Sequence, residues 1–173
     1  MRVNDMIYRL PETGDQAMLQ AYVQEHYDHG ENSISASLGL TASGYAGWVE
    51  KIGRNAREGD AQWGRSLLYL CIDQGELIGL LSIRYDLPEE LSNKYGDIGY
   101  GVRPSARNKG YATAMLRHAL SVCKEKGKRQ VVLGCYRDNI PSAWVIEKNG
   151  GVLWAENDHY APGKISRYYL IRL

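Results

Sequence analysis

Apolar residues recur at helical spacing in residues 14–29 and again in residues 43–56, with a polar loop between the two stretches. Residues 65–86 then hold two apolar runs rich in β-forming residues around "DQGE", which predicts a hairpin of antiparallel strands. The segment "DIGYGV" (97–102) predicts a further strand. The first part of the chain therefore predicts two helices followed by a hairpin and a strand.

A long amphipathic helix is predicted from about Asn108 to Lys126, because apolar residues recur there on one face. This stripe consists of Ala112, Met115, Leu116, Ala119, Val122 and Cys123. The continuous apolar run "QVVLGCY" (130–136) is typical of a buried parallel strand. Strand, helix and strand together predict one right-handed crossover unit.

The C-terminal part of the chain predicts a short helix and a closing hairpin. Asn139 is a good N-cap and Pro141 suits a first helical turn, while Asn149, Gly150 and Gly151 provide a helix end. The segments "GVLWAEN" and "SRYYLIRL" then predict two strands. The whole pattern predicts a single-domain α/β fold in which helices flank a mixed central β-sheet.

Composition narrows the class of protein. A chain of 173 residues is long enough to bury a core as one domain without metals or disulfides. Its 21 Lys and Arg residues against 20 Asp and Glu residues leave a net charge of +1, which gives no basic footprint for nucleic acid. Cys71, Cys123 and Cys135 lie in apolar runs outside any metal-ligand spacing, so we expect reduced core thiols and no metal.

The sequence also lacks membrane and secretion signals. No stretch approaches the roughly 20 apolar residues of a membrane span, and the N-terminal residues carry no apolar h-region. We therefore expect a cytoplasmic protein with no membrane partner.

Candidate chemistry is concentrated in "RPSARNKGYATAML" (103–116), where a predicted strand leads into the long helix. A helix N-terminus presents unpaired N–H groups and a partial positive charge, and Gly110 lets the backbone approach a ligand closely. The segment lacks the G-x-x-x-x-G-K-[ST] of a Walker A loop and the G-x-G-x-x-G of a dinucleotide site. The pattern favours an anion cradle of another kind, although a Gly in such a position is more often only a turn.

These residues resemble a known family. Arg107-x-x-Gly110-x-Ala112 is similar to the acetyl-CoA signature Q/R-x-x-G-x-G/A of the GNAT N-acetyltransferase superfamily, and "NIPSAWVIEKNGG" (139–151) resembles its second motif. The resemblance covers residues 66–173 and is strongest to bacterial acetyltransferases of unknown acceptor. It implies one N-acetyltransferase domain over residues 1–173, with an acetyl-CoA-binding core in 66–173 and acceptor-side helices in 1–65.

The resemblance also implies a set of acetyl-CoA contacts. The cradle would bind the pyrophosphate, the strand around residues 100–102 would pair with the pantetheine, and the start of the short helix would contact the pantetheine arm. The implied residues are Tyr100, Gly101, Val102, Arg107, Asn108, Lys109, Gly110, Tyr111, Ala112, Thr113, Asn139 and Ser142.

The catalytic residues depart from the family pattern. The family often carries a Tyr as general acid seven residues after the Asn, where this chain has Ile146, so Tyr100 and Tyr136 become candidate acids. Leaving as thiolate costs a thiol about 2 kcal/mol at neutral pH, and we therefore expect Ile146→Tyr to be tolerated or modestly activating.

A base matters more, because an ammonium must lose a proton at a cost of about 4.6 kcal/mol before it can attack. Asp97 is the candidate base or amine anchor, with a turn role as the alternative and Asp86, Glu89 and Glu90 as substitutes. Each of the four histidines, His26, His29, His118 and His159, has no catalytic partner nearby in the sequence.

The expected function is transfer of an acetyl group from acetyl-CoA to a primary amine by direct attack on the thioester. The acceptor would be a small molecule or a peptide, and a homodimer is a further expectation. The alternative is a non-catalytic CoA-binding or sensing module, motivated by the missing Tyr. A tRNA- or ribosome-modifying enzyme would call for a basic face, which the near-neutral charge disfavours.

Overall fold

The computed structural model describes residues 3–42 and 44–173. Met1, Arg2 and Ser43 lie outside the described residues, and with them the start of the predicted domain and the first residue of the predicted helix 43–56. The strands are β1 (Ile7–Arg9), β2 (Leu67–Asp73), β3 (Glu76–Ile83), β4 (Ile98–Val102), β5 (Gln130–Tyr136), β6 (Val152–Ala161) and β7 (Lys164–Arg172). The helices are α1 (Gln16–Asp28), α2 (Tyr45–Arg57), α3 (Glu89–Tyr95), α4 (Tyr111–Glu125) and α5 (Ile140–Lys148).

The strands form two antiparallel sheets rather than the single mixed sheet that the sequence predicts. One sheet has the order β1-β2-β3-β4 and the other the order β5-β7-β6. Pairing in both is antiparallel, as expected for strands that hairpins connect. The α/β class is confirmed, and the correction concerns the predicted parallel partners β4 and β5, which lie at the facing edges of different sheets.

The two sheets are joined where β4 begins. The Asp97 N–H donates to the Val132 carbonyl at 2.7 Å, and the Asp97 carboxylate accepts from the Val132 N–H at 2.7 Å. Lys128 Nζ binds the other carboxylate oxygen at 3.1 Å. Beyond this junction β4 and β5 separate into their own sheets, and they lead into the segments that begin α4 and α5.

Helices cover both faces of the first sheet. Alternate residues of a strand face opposite sides, and accordingly Leu68 and Leu70 pack with the apolar residues of α1 and α2. Cys71 and Leu81 belong instead to the larger core that contains α4 and α5. The predicted stripe of α4 is confirmed, with all its residues buried except Ala112, which is half-buried. The three cysteines are free and buried.

Four local predictions differ from the structure. The segment predicted as the loop "LPEELSNKYG" contains α3, and the short strand β1 lies in a region predicted to be helical. Helix α4 begins at Tyr111 rather than near Asn108, because Asn108 and Gly110 take positive φ angles of 60° and 86° that a helix cannot include. The strand β6 is longer than predicted and ends at Ala161.

Candidate active site

A pocket of about 910 Å³ lies between β4, the N-terminus of α4 and the start of α5. It brings together all of the sequence-predicted acetyl-CoA contacts except Lys109. The described residues that line it are His26, Glu31, Ser33, Ser35, Tyr100, Gly101, Val102, Ala106, Arg107, Asn108, Gly110, Tyr111, Ala112, Thr113, Asn139, Ile140, Pro141, Ser142, Trp144 and Val145.

One wall of this pocket is the N-terminus of α4. Gly110 is the N-cap residue, in the left-handed conformation at φ 86°, and it has no side chain to cap the helix. The Ala114 N–H donates to the Gly110 carbonyl at 3.1 Å, which is the first bond of the helix. The N–H groups of Tyr111, Ala112 and Thr113 precede that bond, so they are available to a ligand. Together with the helix dipole they suit a phosphate.

A second wall is the start of α5. The Asn139 side chain accepts from the Ser142 N–H at 3.2 Å, so Asn139 caps the helix as its sequence position predicts. The Ser142 hydroxyl lies 3.0 Å from the Tyr100 hydroxyl and hydrogen-bonds to it. Burial raises the pKa of Tyr100 to about 12, against a smaller opposing effect of Ser142. Tyr100 therefore stays protonated at neutral pH and can act as a hydrogen-bond donor.

The free edge of β4 forms the third wall. The Arg84 N–H donates to the Asp97 carbonyl at 2.8 Å, and the Arg103 N–H donates to the Ile78 carbonyl at 2.9 Å. Since alternate residues of an antiparallel strand bond to the partner, the odd-numbered residues of β4 bond to β3. The backbone N–H and C=O of Tyr100 consequently face the free edge and can pair with an extended ligand.

Two predicted cations of the cradle are engaged elsewhere. The Arg107 guanidinium donates two bonds to the Glu31 carboxylate at 2.6 and 2.7 Å, and its Nε donates to the Val102 carbonyl at 3.1 Å. Lys109 Nζ donates to the Ser105 carbonyl at 2.9 Å. The positive character of the cradle therefore comes mainly from its backbone N–H groups.

The structure does not bring Asp97 and Tyr136 to this pocket. Asp97 is 1% exposed and is bound to Lys128 and Val132 at the junction of the two sheets. Tyr136 packs against the Tyr160 ring, and Lys164 Nζ lies 3.7 Å from its ring centroid. Of the three residues predicted to be catalytic, Tyr100 alone lines the pocket.

Ile146 occupies the position where the family often has a Tyr, but it does not line the pocket. Its side chain is 1% exposed and belongs to the core between α4, α5 and the second sheet. The expectation that Ile146→Tyr is tolerated or activating does not fit this environment.

We now expect Ile146→Tyr to lower the free energy of unfolding by about 1–3 kcal/mol, because a larger side chain overpacks the core. Ile146→Val is the matched control, with an expected loss of about 0.5–1.5 kcal/mol from a missing methylene. Urea denaturation measures both. Unchanged stability together with a higher turnover rate would show that a tyrosine at this position reaches the reacting group.

Sequence reasoning missed part of the pocket. His26, Glu31, Ser33 and Ser35 come from the end of α1 and the segment that follows it. His26 has a partner after all, since its Nδ1 lies 2.6 Å from a Glu31 carboxylate oxygen. The signal that could have identified this pair is a histidine five residues before a carboxylate across a helix end, but such spacing is common.

Within residues 3–42 and 44–173, no three His, Cys, Asp or Glu side chains are grouped as a metal site requires. None of the helices in the same residues has the length and apolar character needed to cross a membrane.

The gap between the two sheets beside β4, with the N-terminus of α4 at its mouth, makes this an α/β protein suited to an extended ligand that carries phosphate. The chain belongs to the acetyltransferase (GNAT) family, whose model matches residues 39–150. Comparison with curated protein sequences finds no match.

Solved acetyltransferase structures share the fold at low sequence identity. An acetyltransferase from Salmonella typhimurium that modifies the N-terminal serine of a 50S ribosomal subunit protein is 20% identical, with 99% of this chain and 98% of that one covered and a TM-score of 0.71. Mycobacterium smegmatis RimJ, in complex with CoA-disulfide, is 21% identical, with 95% of this chain and 80% of that one covered and a TM-score of 0.74. The microcin self-immunity acetyltransferase MccE, in complex with acetyl-CoA and AMP, is 16% identical, with 100% of this chain and 96% of that one covered and a TM-score of 0.72.

Proposed function

We propose that the protein transfers the acetyl group of acetyl-CoA to a primary amine by direct attack of the amine on the thioester. The observation that carries this proposal is the pocket itself. The unpaired N–H groups of Tyr111, Ala112 and Thr113 and the free edge of β4 at Tyr100 line the same cavity. Family membership and the fold shared with CoA-bound acetyltransferases support the choice of ligand.

In this arrangement the α4 N-terminus holds the pyrophosphate and the pantetheine extends along β4. The ligand's amide groups pair with the backbone N–H and C=O of Tyr100, like an added strand. The acyl group then lies deeper in the gap between the two sheets. An amine entering from the side of residues 26–35 meets the thioester carbon there, and the α1–α2 region forms the acceptor side.

The reaction conserves atoms and charge in four steps. The acceptor ammonium first gives one proton to a base or to water, and the free amine forms a bond to the thioester carbon. The tetrahedral intermediate then breaks its carbon–sulfur bond. The remaining excess proton of the new amide nitrogen goes to the CoA sulfur, which leaves as the thiol.

Tyr100 is the proposed donor to the departing sulfur. Its pKa of about 12 lies above the ordinary thiol pKa of about 8.5, so complete proton transfer from Tyr100 to the thiolate is unfavourable. A hydrogen bond from the Tyr100 hydroxyl can nevertheless stabilise the negative charge on the sulfur. Tyr100 thus stabilises the leaving group, and the sulfur takes its proton from the amine.

We expect Tyr100→Phe to lower kcat about 10-fold, bounded by the roughly 2 kcal/mol that thiolate departure costs at neutral pH. The KM for acetyl-CoA stays the same because the backbone of β4 is unchanged. The matched control is Tyr136→Phe, which removes a tyrosine hydroxyl that lies outside the pocket, and we expect it to leave kcat unchanged. Steady-state kinetics of both variants test this assignment, and an equal loss in the two would contradict it.

The acceptor class is proposed on the family and on the pocket. Among proteins of the same fold, one is described as modifying the N-terminal serine of a ribosomal protein and another as a microcin self-immunity acetyltransferase. The pocket of this chain has a volume of about 910 Å³, and the polar side chains of His26, Ser33 and Ser35 line it on the side proposed for the acceptor. A small molecule or a peptide with a primary amine fits this surface.

Two measurements test the proposed function. Calorimetry with acetyl-CoA, CoA and ATP should show micromolar binding of the first two and much weaker binding of ATP, whereas equal ATP binding or no CoA binding would refute it. A thiol-release screen over amines, peptides, polyamines and antibiotics should show acceptor-dependent turnover. Binding of acetyl-CoA without turnover on any amine would favour the alternative, a CoA-sensing module.

A further inference from the structure

His26 is a buried imidazole at the edge of the pocket with one ring nitrogen unused. The side chain lies in the last turn of α1, is 3% exposed and lines the pocket. Its Nδ1 lies 2.6 Å from a carboxylate oxygen of Glu31. Among the described residues its Nε2 is buried and has no hydrogen-bond partner. Buried polar atoms are nearly always satisfied, so this nitrogen can accept a hydrogen bond from a bound molecule or a water in the pocket.

Glu31 determines which nitrogen carries the proton. Arg107 donates two bonds to the Glu31 carboxylate and, as the main cause, lowers the pKa of Glu31 to about 2. A carboxylate that stays ionised accepts hydrogen bonds and cannot donate them. Nδ1 of His26 must therefore be the donor, and in the neutral ring the lone pair lies on Nε2.

A contact within α1 and a hydrogen bond from α1 to β4 link this imidazole to the strand that would hold the thioester. The His26 ring packs edge-on against the Tyr22 ring with the centroids 4.7 Å apart. The Tyr22 hydroxyl donates to the Gly101 carbonyl at 3.3 Å, next to Tyr100 in β4. His26 is thus held on the α1 side of β4, where the proposed acceptor amine enters.

We propose that Nε2 of His26 is the base that takes the proton from the acceptor ammonium, directly or through one water molecule. The step forms an Nε2–H bond and breaks one N–H bond of the ammonium, which leaves a neutral amine and an imidazolium. The imidazolium keeps its Nδ1–H bond to Glu31 and gives its proton to solvent after the product leaves. This inference rests on the proposed function and adds to it the residue that activates the acceptor.

The titratable and charged groups that face His26 come from three parts of the chain. Tyr22 faces it from α1, Glu31 from the following segment, and Arg107 reaches it through Glu31 from the segment before α4. The neighbouring Glu25 is bound to Arg103 and to the Ser105 N–H. Because the pKa of Glu31 is lowered to about 2, Glu31 stays ionised throughout the range from about pH 6 to pH 9. A change in rate over this range therefore cannot come from titration of Glu31.

The test uses His26→Asn, in which the amide can keep the hydrogen bond to Glu31 while Nε2 is lost. We expect kcat/KM to fall about 100-fold at neutral pH, with acetyl-CoA affinity by calorimetry within roughly twofold of the wild type. The deficit should shrink as the pH approaches the pKa of the amine, because the acceptor then arrives neutral. His29→Asn, at the exposed C-cap of the same helix, is the matched control and keeps the wild-type profile.

Glu31→Gln provides a second, independent variant that leaves the imidazole in place. Glu31 is a positioning residue, and its loss should lower kcat/KM about 10-fold while shifting the pH–rate profile. An unchanged pH–rate profile in folded His26→Asn, or a deficit that is equal at all pH values, would overturn the role of His26 alone. If the wild type fails to bind acetyl-CoA or to release thiol with any amine, the proposed function fails, and this inference fails with it.

Discussion

Replacing Gly110 with valine is expected to weaken acetyl-CoA binding by about 10- to 100-fold, because one hydrogen bond to a charged phosphate is worth about 1.5–3 kcal/mol. Gly110 lines the pocket at φ 86°, and a Cβ added there meets no atom within 4 Å. A branched side chain would therefore stand in the space where the phosphate approaches the α4 N-terminus. It would also strain the left-handed turn that aims the N–H groups of Tyr111 and Ala112.

The effect of backbone strain at a positive φ angle must be distinguished from the effect of a blocked phosphate site. Gly127, beyond the other end of α4, has nearly the same conformation at φ 85° and the same open surroundings. Gly127→Val therefore carries a similar backbone penalty of about 1–2 kcal/mol without touching the pocket. Calorimetry should show a large loss of acetyl-CoA affinity in Gly110→Val and none in Gly127→Val. Equal affinities in two folded variants would place the phosphate site elsewhere.

Asp97→Asn is expected to lower the free energy of unfolding by about 3 kcal/mol, because it leaves a buried charge without its partner. The carboxylate is 1% exposed and binds Lys128, which is itself 17% exposed. It also accepts the Val132 N–H, so it joins the two sheets. The geometry thus favours a structural role over the predicted role as base, and the pH–rate profile of the variant should keep its wild-type shape.

The matched control for this change is Asp86→Asn. Asp86 forms an ion pair with Arg65 at 2.7 Å, and its side chain is 35% exposed against 1% for Asp97. Exposed pairs contribute about 0–1 kcal/mol, so the control should unfold at nearly the wild-type urea concentration. If Asp97→Asn keeps wild-type stability and loses activity that returns at alkaline pH, Asp97 is the base and His26 is not.

Much of the fold could be predicted because its elements have strong local patterns. The apolar stripe of α4 and the two β-forming runs around "DQGE" each specify one element and one buried face. The three-residue strand β1 and the seven-residue helix α3 are too short for such a pattern. The junction between the two sheets depends on Asp97 and Lys128, which are 31 residues apart in the chain and meet only once β4 and β5 are adjacent.

The site shows the same division between local and long-range information. The cradle at Gly110 and the cap at Asn139 are local motifs of a helix start, so the sequence places them in the pocket correctly. Arg107 could not be assigned in this way, because its partner Glu31 lies 76 positions earlier. The role of His26 cannot be predicted from the sequence for the same reason, since Arg107 holds the Glu31 carboxylate that bonds to His26.

The junction at Asp97 also fixes the length of the free edge of β4. An extended chain advances about 3.4 Å per residue, so the free edge from Asp97 to Val102 measures about 17 Å. The junction lies at one end of this edge, and the segment that leads to the N-terminus of α4 begins at the other end. Moving the junction by two residues along β4 would change the length of this free edge by about 7 Å. Under the proposed function, in which the acyl group lies between the two sheets, the position of the Asp97 carboxylate along β4 would limit the length of the acyl group that fits there.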